Sequence, residues 1–279
     1  MSPASQIFCT GCESAEVTTG FSVPLTHVAS RDNPLIKELR KFSKDSTAYR
    51  KQGRVWLEGD HLCRAALARG CKPVLAVFSE SFWPLAHTQW AQAAIKNIVI
   101  ADALLPEISS LESPAHMGFV MELPTVPPLQ LDVASVILDR VQDAGNVGSI
   151  LRSASAFGFS QIIALKGTAA LWSPKVLRAG MGAHFALQLV EGVEPEALAA
   201  LTVPIVVTSS HHGSFLHQQP IPMPCAWAMG HEGQGVSDEL IARARLKVRI
   251  DQPGGEESLN VAAAAAICLY ASALVRQRI

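Results

Sequence analysis

The sequence predicts an α/β protein of two units, the second and larger one built on a parallel sheet covered by helices on both faces. Three observations predict it. Apolar runs at Val136–Leu138, Ile162–Leu165, Ala186–Val190, Ile205–Val207, Ala226–Met229 and Val248–Ile250 alternate with segments of helical period. Continuous apolar strands separated by helices are what a sheet buried on both faces requires. A proline-dense stretch from Leu123 to Leu131, with Pro124, Pro127 and Pro128, interrupts the pattern as a stiff linker would. Finally, 279 residues at 49% hydrophobic, 17% charged and 6% aromatic can fill two cores and do not resemble a disordered chain.

Each element follows in order. Residues 1–24 show no period and many small polar residues, which predicts an extension with little order. From Asn33 to Tyr49 the apolar positions Leu35, Ile36, Leu39 and Phe42 recur at helical spacing between basic residues, predicting a half-exposed helix. A second such helix covers Gly59 to Arg69. Strands are expected at Val74–Phe78 and Asn97–Ile100, so residues 25–123 form a small α/β unit. Residues 124–134 are the linker and 135–279 the parallel-sheet unit. The longest apolar run, Val261 to Leu274, falls short of the roughly 20 residues of a membrane span and predicts a buried helix, with no membrane partner.

Charge and cysteine usage narrow the function classes. The formal net charge of -1 gives no global pull toward nucleic acid, but Arg31, Lys37, Arg40, Lys41, Lys44, Arg50, Lys51 and Arg54 crowd one segment into a local basic patch. The six cysteines, at 9, 12, 63, 71, 225 and 268, have no framework spacing. The N-terminus lacks a basic region followed by an apolar core, so a reducing cytoplasm is expected. Cys9 and Cys12 form a lone CxxC read as part of the tail. His184, His211, His212 and His217 share no ligand spacing, and no metal is expected.

Ligands of parallel α/β sheets collect at the carboxyl ends of strands, and three loops there are unusual. In VQDAGNVGSILRSASAFGF, Asp139 and Asp143 flank a turn, and Asn146 and Gly148 lead into a helix carrying Arg152. In GHEGQGVSDEL, Gly230 to Leu240, three glycines in six residues follow a strand, with Ser237 as the cap of the next helix. In PGGEESLNVAAAAAICLY a glycine turn and Ser258 precede an alanine-rich helix. Neither GxGxxG nor GK[ST] occurs in these loops, which argues against a Rossmann oxidoreductase and a P-loop enzyme. Singly, Asn146 and Ser258 also read as helix caps, Arg152 as a solvated residue, Glu232 as a loop carboxylate and Asn260 as a first-turn residue.

Together and in this order, DAGNVGSILRSASAFGF, GHEGQGVS and ESLNVAAAAA resemble the three motifs of the SpoU (TrmH-like) RNA ribose 2'-O-methyltransferases. SPKVLRAGMGAHFAL, Ser173 to Leu187, looks like the family's segment between the first two motifs. Ser30 to Leu67 is similar to the L30e-like substrate-binding domain that precedes the catalytic domain in many members. The resemblance implies a C-terminal SPOUT fold, a parallel sheet threaded into a deep trefoil knot, behind a smaller N-terminal L30e-like α/β domain. True knots are otherwise nearly absent from proteins, so this expectation comes from the family alone.

It further implies S-adenosylmethionine held mostly by backbone at Gly230, Ile250 and Leu259, with Thr208 a weaker candidate. The equivalent of Arg152 sits beside the ribose 2'-hydroxyl in related enzymes, while Asn146, Glu232, Ser258 and Asn260 order the site. A guanidinium with a pKa above about 12 is a poor base, so Arg152 is expected to position the acceptor. Arg31, Lys37 and Arg40 would touch RNA phosphates, with ribosomal RNA favoured over transfer RNA. A homodimer through the knotted region is implied as well. The chain departs from the family where an Ile-Pro-Met-like run is replaced by Ile250-Asp251-Gln252, where His231 replaces a common asparagine, and at Gly180 in place of serine. An altered cofactor wall would leave an inactive RNA-binding module as the alternative.

Overall fold

The computed structural model describes residues 23–276 other than 124, 126, 127, 210, 211, 256 and 257. The expectations for residues 1–22, Cys9, Cys12, His211, Pro124 and Pro127 therefore lie outside the described residues. Strands divide between two sheets.

The first runs β1 (Leu25–Val28), α1 (Pro34–Lys44), α2 (Ala48–Gln52), β2 (Arg54–Glu58), α3 (Asp60–Ala68), β3 (Leu75–Ser79), α4 (Trp83–Trp90), β4 (Lys96–Ile100), α5 (Leu105–Ile108) and β5 (Met117–Glu122). Its order is β1-β4-β3-β5-β2, with β5 antiparallel to both neighbours and the other pairs parallel. Ile36, Leu39 and Phe42 of α1 bury one sheet face against Val77, Ile98 and Ile100. Leu62, Cys63 and Ala66 of α3 bury the other against Phe78 and Phe119.

Two sequence expectations are corrected here. The single helix over Asn33 to Tyr49 is broken, because Asp45 Oδ1 accepts from the Thr47 backbone N–H at 2.8 Å and its hydroxyl at 2.9 Å. That local turn competes with the helical ladder. β1, β2 and β5 were also not anticipated. β2 and β5 stabilise each other as an antiparallel pair between segments distant in sequence, which no local period reveals.

The second sheet comprises β6 (Ser135–Leu138), α6 (Ala144–Ala156), β7 (Gln161–Leu165), α7 (Pro174–Gly180), β8 (Gln188–Val193), β9 (Ile205–Thr208), β10 (Ser214–Phe215), β11 (Ala226–Met229), α8 (Asp238–Arg243), β12 (Leu246–Arg249) and α9 (Val261–Arg276). All its pairs are parallel, in the order β10-β12-β9-β11-β6-β7-β8. α6 and α9 pack with Leu138, Val206, Trp227 and Val248 on one face, while Ile137, Ile163, Val207 and Ala228 meet Leu240 of α8 on the other. Gly148 lets α6 approach α7 closely, for a Cβ there would lie 2.3 Å from Ala179 Cβ and 2.8 Å from the Gly180 nitrogen. The strand expected from Ala186 begins instead at Gln188, since Ala183–Ala186 wind into a 3-10 turn.

The chain builds β6, β7 and β8 outward to one edge, then crosses back to lay β9, β11 and β12 on the other side of β6. The carboxyl ends of β6, β11, β9 and β12 thus stand side by side at the reversal of strand order, where open α/β sheets bind ligands. α9 is tied beneath them by a buried bond of 2.9 Å from the Trp227 indole N–H to Ser272 Oγ.

The two sheets meet along α7 and β8. The Glu191 carboxylate accepts from the Tyr49 hydroxyl at 2.7 Å, from Arg50 at 3.2 Å and from the Leu171 N–H at 2.8 Å. Burial, with Glu191 beside it, pushes the Tyr49 phenol well above its usual range. Arg178 donates to the Ser110 carbonyl and hydroxyl, and Leu177 is buried among α3 residues. His184 is a core histidine: its ring pairs with the Leu171 carbonyl at 2.9 Å, and burial pushes its pKa down to about 4. No helix among the described residues is long and apolar enough to cross a membrane.

Candidate active site

The site is built where α6 begins. Asp143 is the N-cap of α6, its Oδ1 accepting from the Asn146 N–H at 2.8 Å, so Asn146 lies in the first helical turn. That position turns its amide toward the loop after β11, where Asn146 Nδ2 donates to Glu232 Oε1 at 3.0 Å. Glu232 also accepts from the backbone N–H groups of Gln142, at 3.1 Å, and Asp143, at 3.0 Å. Asn146 Oδ1 in turn accepts from Asn260 Nδ2 at 2.9 Å. Asn260 Oδ1 accepts from the N–H groups of Ala262 and Ala263, at 2.9 and 3.2 Å, and so caps α9. One unbroken bridge, Glu232 to Asn146 to Asn260, therefore joins three segments far apart in sequence.

Partial burial raises the Glu232 pKa, but the bonds from Asn146, Asp143 and Gln142 outweigh it and hold the carboxyl at about 2. A carboxylate that acidic is a feeble base at neutral pH. Its role in the arrangement is to orient.

The loop carrying Glu232 closes on itself. His231 and Gly235 exchange backbone bonds of 3.0 and 2.8 Å, and the His231 Nδ1 accepts from the N–H groups of Gly233 and Gln234. Histidine here supplies the acceptor that an asparagine oxygen would. Gly230 is required by the same closure, because a Cβ would fall 2.1 Å from the Gly235 carbonyl carbon. Asp139, buried at the end of β6, binds Arg140 Nε at 2.9 Å and accepts from the Ser237 N–H at 2.6 Å, anchoring the far side of the loop. Ser237 begins α8 as expected, yet its side chain makes no cap bond.

The remaining expected residues take separate places. Arg152 is exposed and makes no hydrogen bond or ion pair among the described residues. It is six positions beyond Asn146, about 9 Å along the helix axis. It shares the outer stripe of α6 with Ser149 and Ala156, all exposed, and is not part of the bridge. Thr208 ends β9 and pairs in register with Val248, and Ile250 follows β12 with its side chain packed on the α6 and α9 core. Gly230 follows β11, while Ser258 and Leu259 are exposed just before Asn260. Arg31 and Arg40 both pair with Glu107, and Lys37 pairs with Asp32 at 3.1 Å. Sequence reasoning missed the roles of Asp139 and the His231 ring, and it misplaced the caps: Asp143 caps α6 in place of Asn146, and Asn260 caps α9 in place of Ser258, because each is the residue whose side-chain oxygen faces the first free N–H groups. An acid directly after an apolar strand was the available signal for Asp139.

Residues 134–270 match the SpoU rRNA Methylase family. Over 242 residues, 76% of this chain and 83% of the relative, the sequence is 31% identical to the 23S rRNA (uridine(2479)-2'-O)-methyltransferase of Streptomyces viridochromogenes. It is 28% identical over 252 residues, 88% of this chain and 98% of the relative, to the 23S rRNA (guanosine(2553)-2'-O)-methyltransferase RlmP of Bacillus subtilis. Among solved structures, the AdoMet-bound rRNA methyltransferase of Sinorhizobium meliloti matches with a TM-score of 0.78 at 25% identity, over 91% of this chain and 98% of that one.

Proposed function

The chain belongs to the SpoU rRNA methylase family, and from that premise we propose that it transfers a methyl group from S-adenosylmethionine to a ribose 2'-hydroxyl in structured RNA, within 23S ribosomal RNA. The observation that carries the reading is the Glu232–Asn146–Asn260 bridge, which ties the start of α6 to the loop after β11 and to the start of α9. The names of the relatives support the substrate class.

Gly230 and Ile250, which follow β11 and β12, and Leu259, just before α9, would hold the cofactor largely through backbone groups, with Thr208 at its side. When bound it would supply an electrophilic methyl carbon on a sulfonium: the C–S bond breaks to leave the neutral thioether S-adenosylhomocysteine, the O–C bond forms, and the 2'-hydroxyl proton passes to solvent, with no metal needed. Asn146, Glu232, Ser258 and Asn260 keep the walls of the site in register. Arg152, projecting from the outer stripe of α6, holds the phosphate next to the target ribose and faces the negative charge that develops on the 2'-oxygen. Alignment of the reacting atoms supplies much of the rate.

Residues 25–123 serve as the L30e-like RNA-binding domain, 124–134 as linker and 135–279 as the catalytic domain, whose C-terminal part is threaded into a deep trefoil knot. The division of hydrogen-bonded strands into two sheets supports the separation into two units. Arg31, Lys37 and Arg40 reach RNA phosphates by exchanging their carboxylate partners. The protein works in the cytoplasm as a homodimer. Ile267, Tyr270 and Leu274, 40%, 53% and 39% exposed at helical spacing on α9, offer the apolar stripe for the dimer.

The test is transfer of labelled methyl from S-adenosylmethionine into ribosomal RNA. Arg152→Ala is expected to abolish transfer while leaving calorimetric cofactor binding intact. Near-normal turnover by the variant overturns the assignment.

A further inference from the structure

Gln252 lies in the turn that leaves the sheet after β12 on the way to α9. The turn is closed by the Gly255 N–H donating to the Gln252 carbonyl at 3.1 Å. The side-chain Oε1 is shut off from solvent and accepts no hydrogen bond from the described residues. Buried amide oxygens are nearly always satisfied, so an orphan calls for a donor. Trp56 Nε1, Asn97 Oδ1 and His184 Nδ1 share this condition, but they belong to the first sheet and the junction. Arg249 Nε shares it too, yet its guanidinium is held 3.9 Å over the Phe215 ring. Strand alternation puts that side chain on the face opposite Val248 and Ile250. Gln252 alone of the five stands in the connection that follows Ile250 at the ligand-binding edge.

We propose that the Gln252 side-chain oxygen is a cofactor contact, accepting a hydrogen bond from an N–H or O–H of bound S-adenosylmethionine and thereby setting its affinity. The inference rests on the methyl-transfer reading. The adenine amino group, the ribose hydroxyls and the methionyl ammonium are the donors such a ligand brings. Two positions before it, Ile250 is part of the same wall, and the adjoining strand ends contribute Thr208 and Gly230.

The experiment is calorimetric titration of the full-length wild type, Gln252→Met and Gln252→Glu with S-adenosylmethionine, alongside thermal unfolding without ligand. Methionine keeps the length and removes the acceptor. Its affinity is expected to fall about tenfold, the effect of one net hydrogen bond. Ligand-free Tm should hold or rise as the orphan disappears, and Gln252→Glu, which keeps an acceptor, should bind more tightly than Gln252→Met. Titration with adenosine identifies the donor: weaker binding by Gln252→Met assigns it to the nucleoside, and unchanged binding to the methionyl end. Equal affinity of wild type and Gln252→Met for S-adenosylmethionine overturns the proposal, as does a drop in ligand-free Tm accompanying the loss. A wild type that fails to bind at all overturns the methyl-transfer reading as well, which separates the two failures.

Discussion

Replacing Asn146 by alanine cuts the bridge at its middle. The variant loses a bond to an ionised carboxylate, of a kind that contributes about 1.5–3 kcal/mol, and a neutral amide bond contributing about 1 kcal/mol. Glu232 and Asn260 are both exposed enough for water to replace part of each, so the lower end applies, about 2 kcal/mol together. Glu232 keeps its bonds from Gln142 and Asp143, and Asn260 keeps its cap on α9, so the fold survives. With a urea slope of about 2 kcal/mol/M, the unfolding midpoint should fall by about 1 M. Methyl transfer should fall more than about tenfold, because the walls lose register by distances that matter to reacting atoms. The decisive assay is the cycle with Asn260→Ala. If the two residues belong to one connected network, the double variant is less destabilised than the sum of the singles. Strict additivity, or a midpoint that barely moves, refutes the reasoning.

Two other outcomes are expected. Because the Glu232 carboxyl titrates at about 2 when folded, below its ordinary 4.5, its stabilisation is complete above about pH 4.5 and is lost as pH falls toward 2. Glu232→Gln should therefore flatten the acid limb of a stability-versus-pH curve, and parallel limbs would show that the carboxylate is not held as described. Glu107→Ala should release Arg31 and Arg40 together. RNA affinity should then rise and its dependence on log salt steepen by about 1–2, whereas an unchanged slope would remove that face from RNA docking.

Sequence and structure agree best where local pattern carries the physics. The continuous apolar runs of the second sheet sit on strands because burial on both faces leaves no room for polar alternation. β2 and β5 escaped because their stability comes from pairing with each other, and the helix over 33–49 overreached because one carboxylate, Asp45, diverts the chain. In the site, Asn146, Glu232 and Asn260 were legible as residue types beside helix starts and glycine turns. Which amide donates to which acceptor was not, since the partners lie 86 and 114 residues apart. Nor could a linear pattern show that Arg152 stands on the outer face of α6, clear of the bridge, or that Asp139 holds Ser237 across 98 residues.

The bridge also has a direction. A carboxylate at one end can only accept and two backbone N–H groups at the other can only donate, so both asparagine amides are locked into one orientation, nitrogen toward Glu232. Slow hydrolysis of either amide to a carboxylate would replace a donor with an acceptor and add a negative charge against Glu232 or Asn146. Conversion of NH2 to O⁻ at residue 146 or 260 would then age the protein out of its working geometry, while changing its mass by about one dalton and leaving its core untouched.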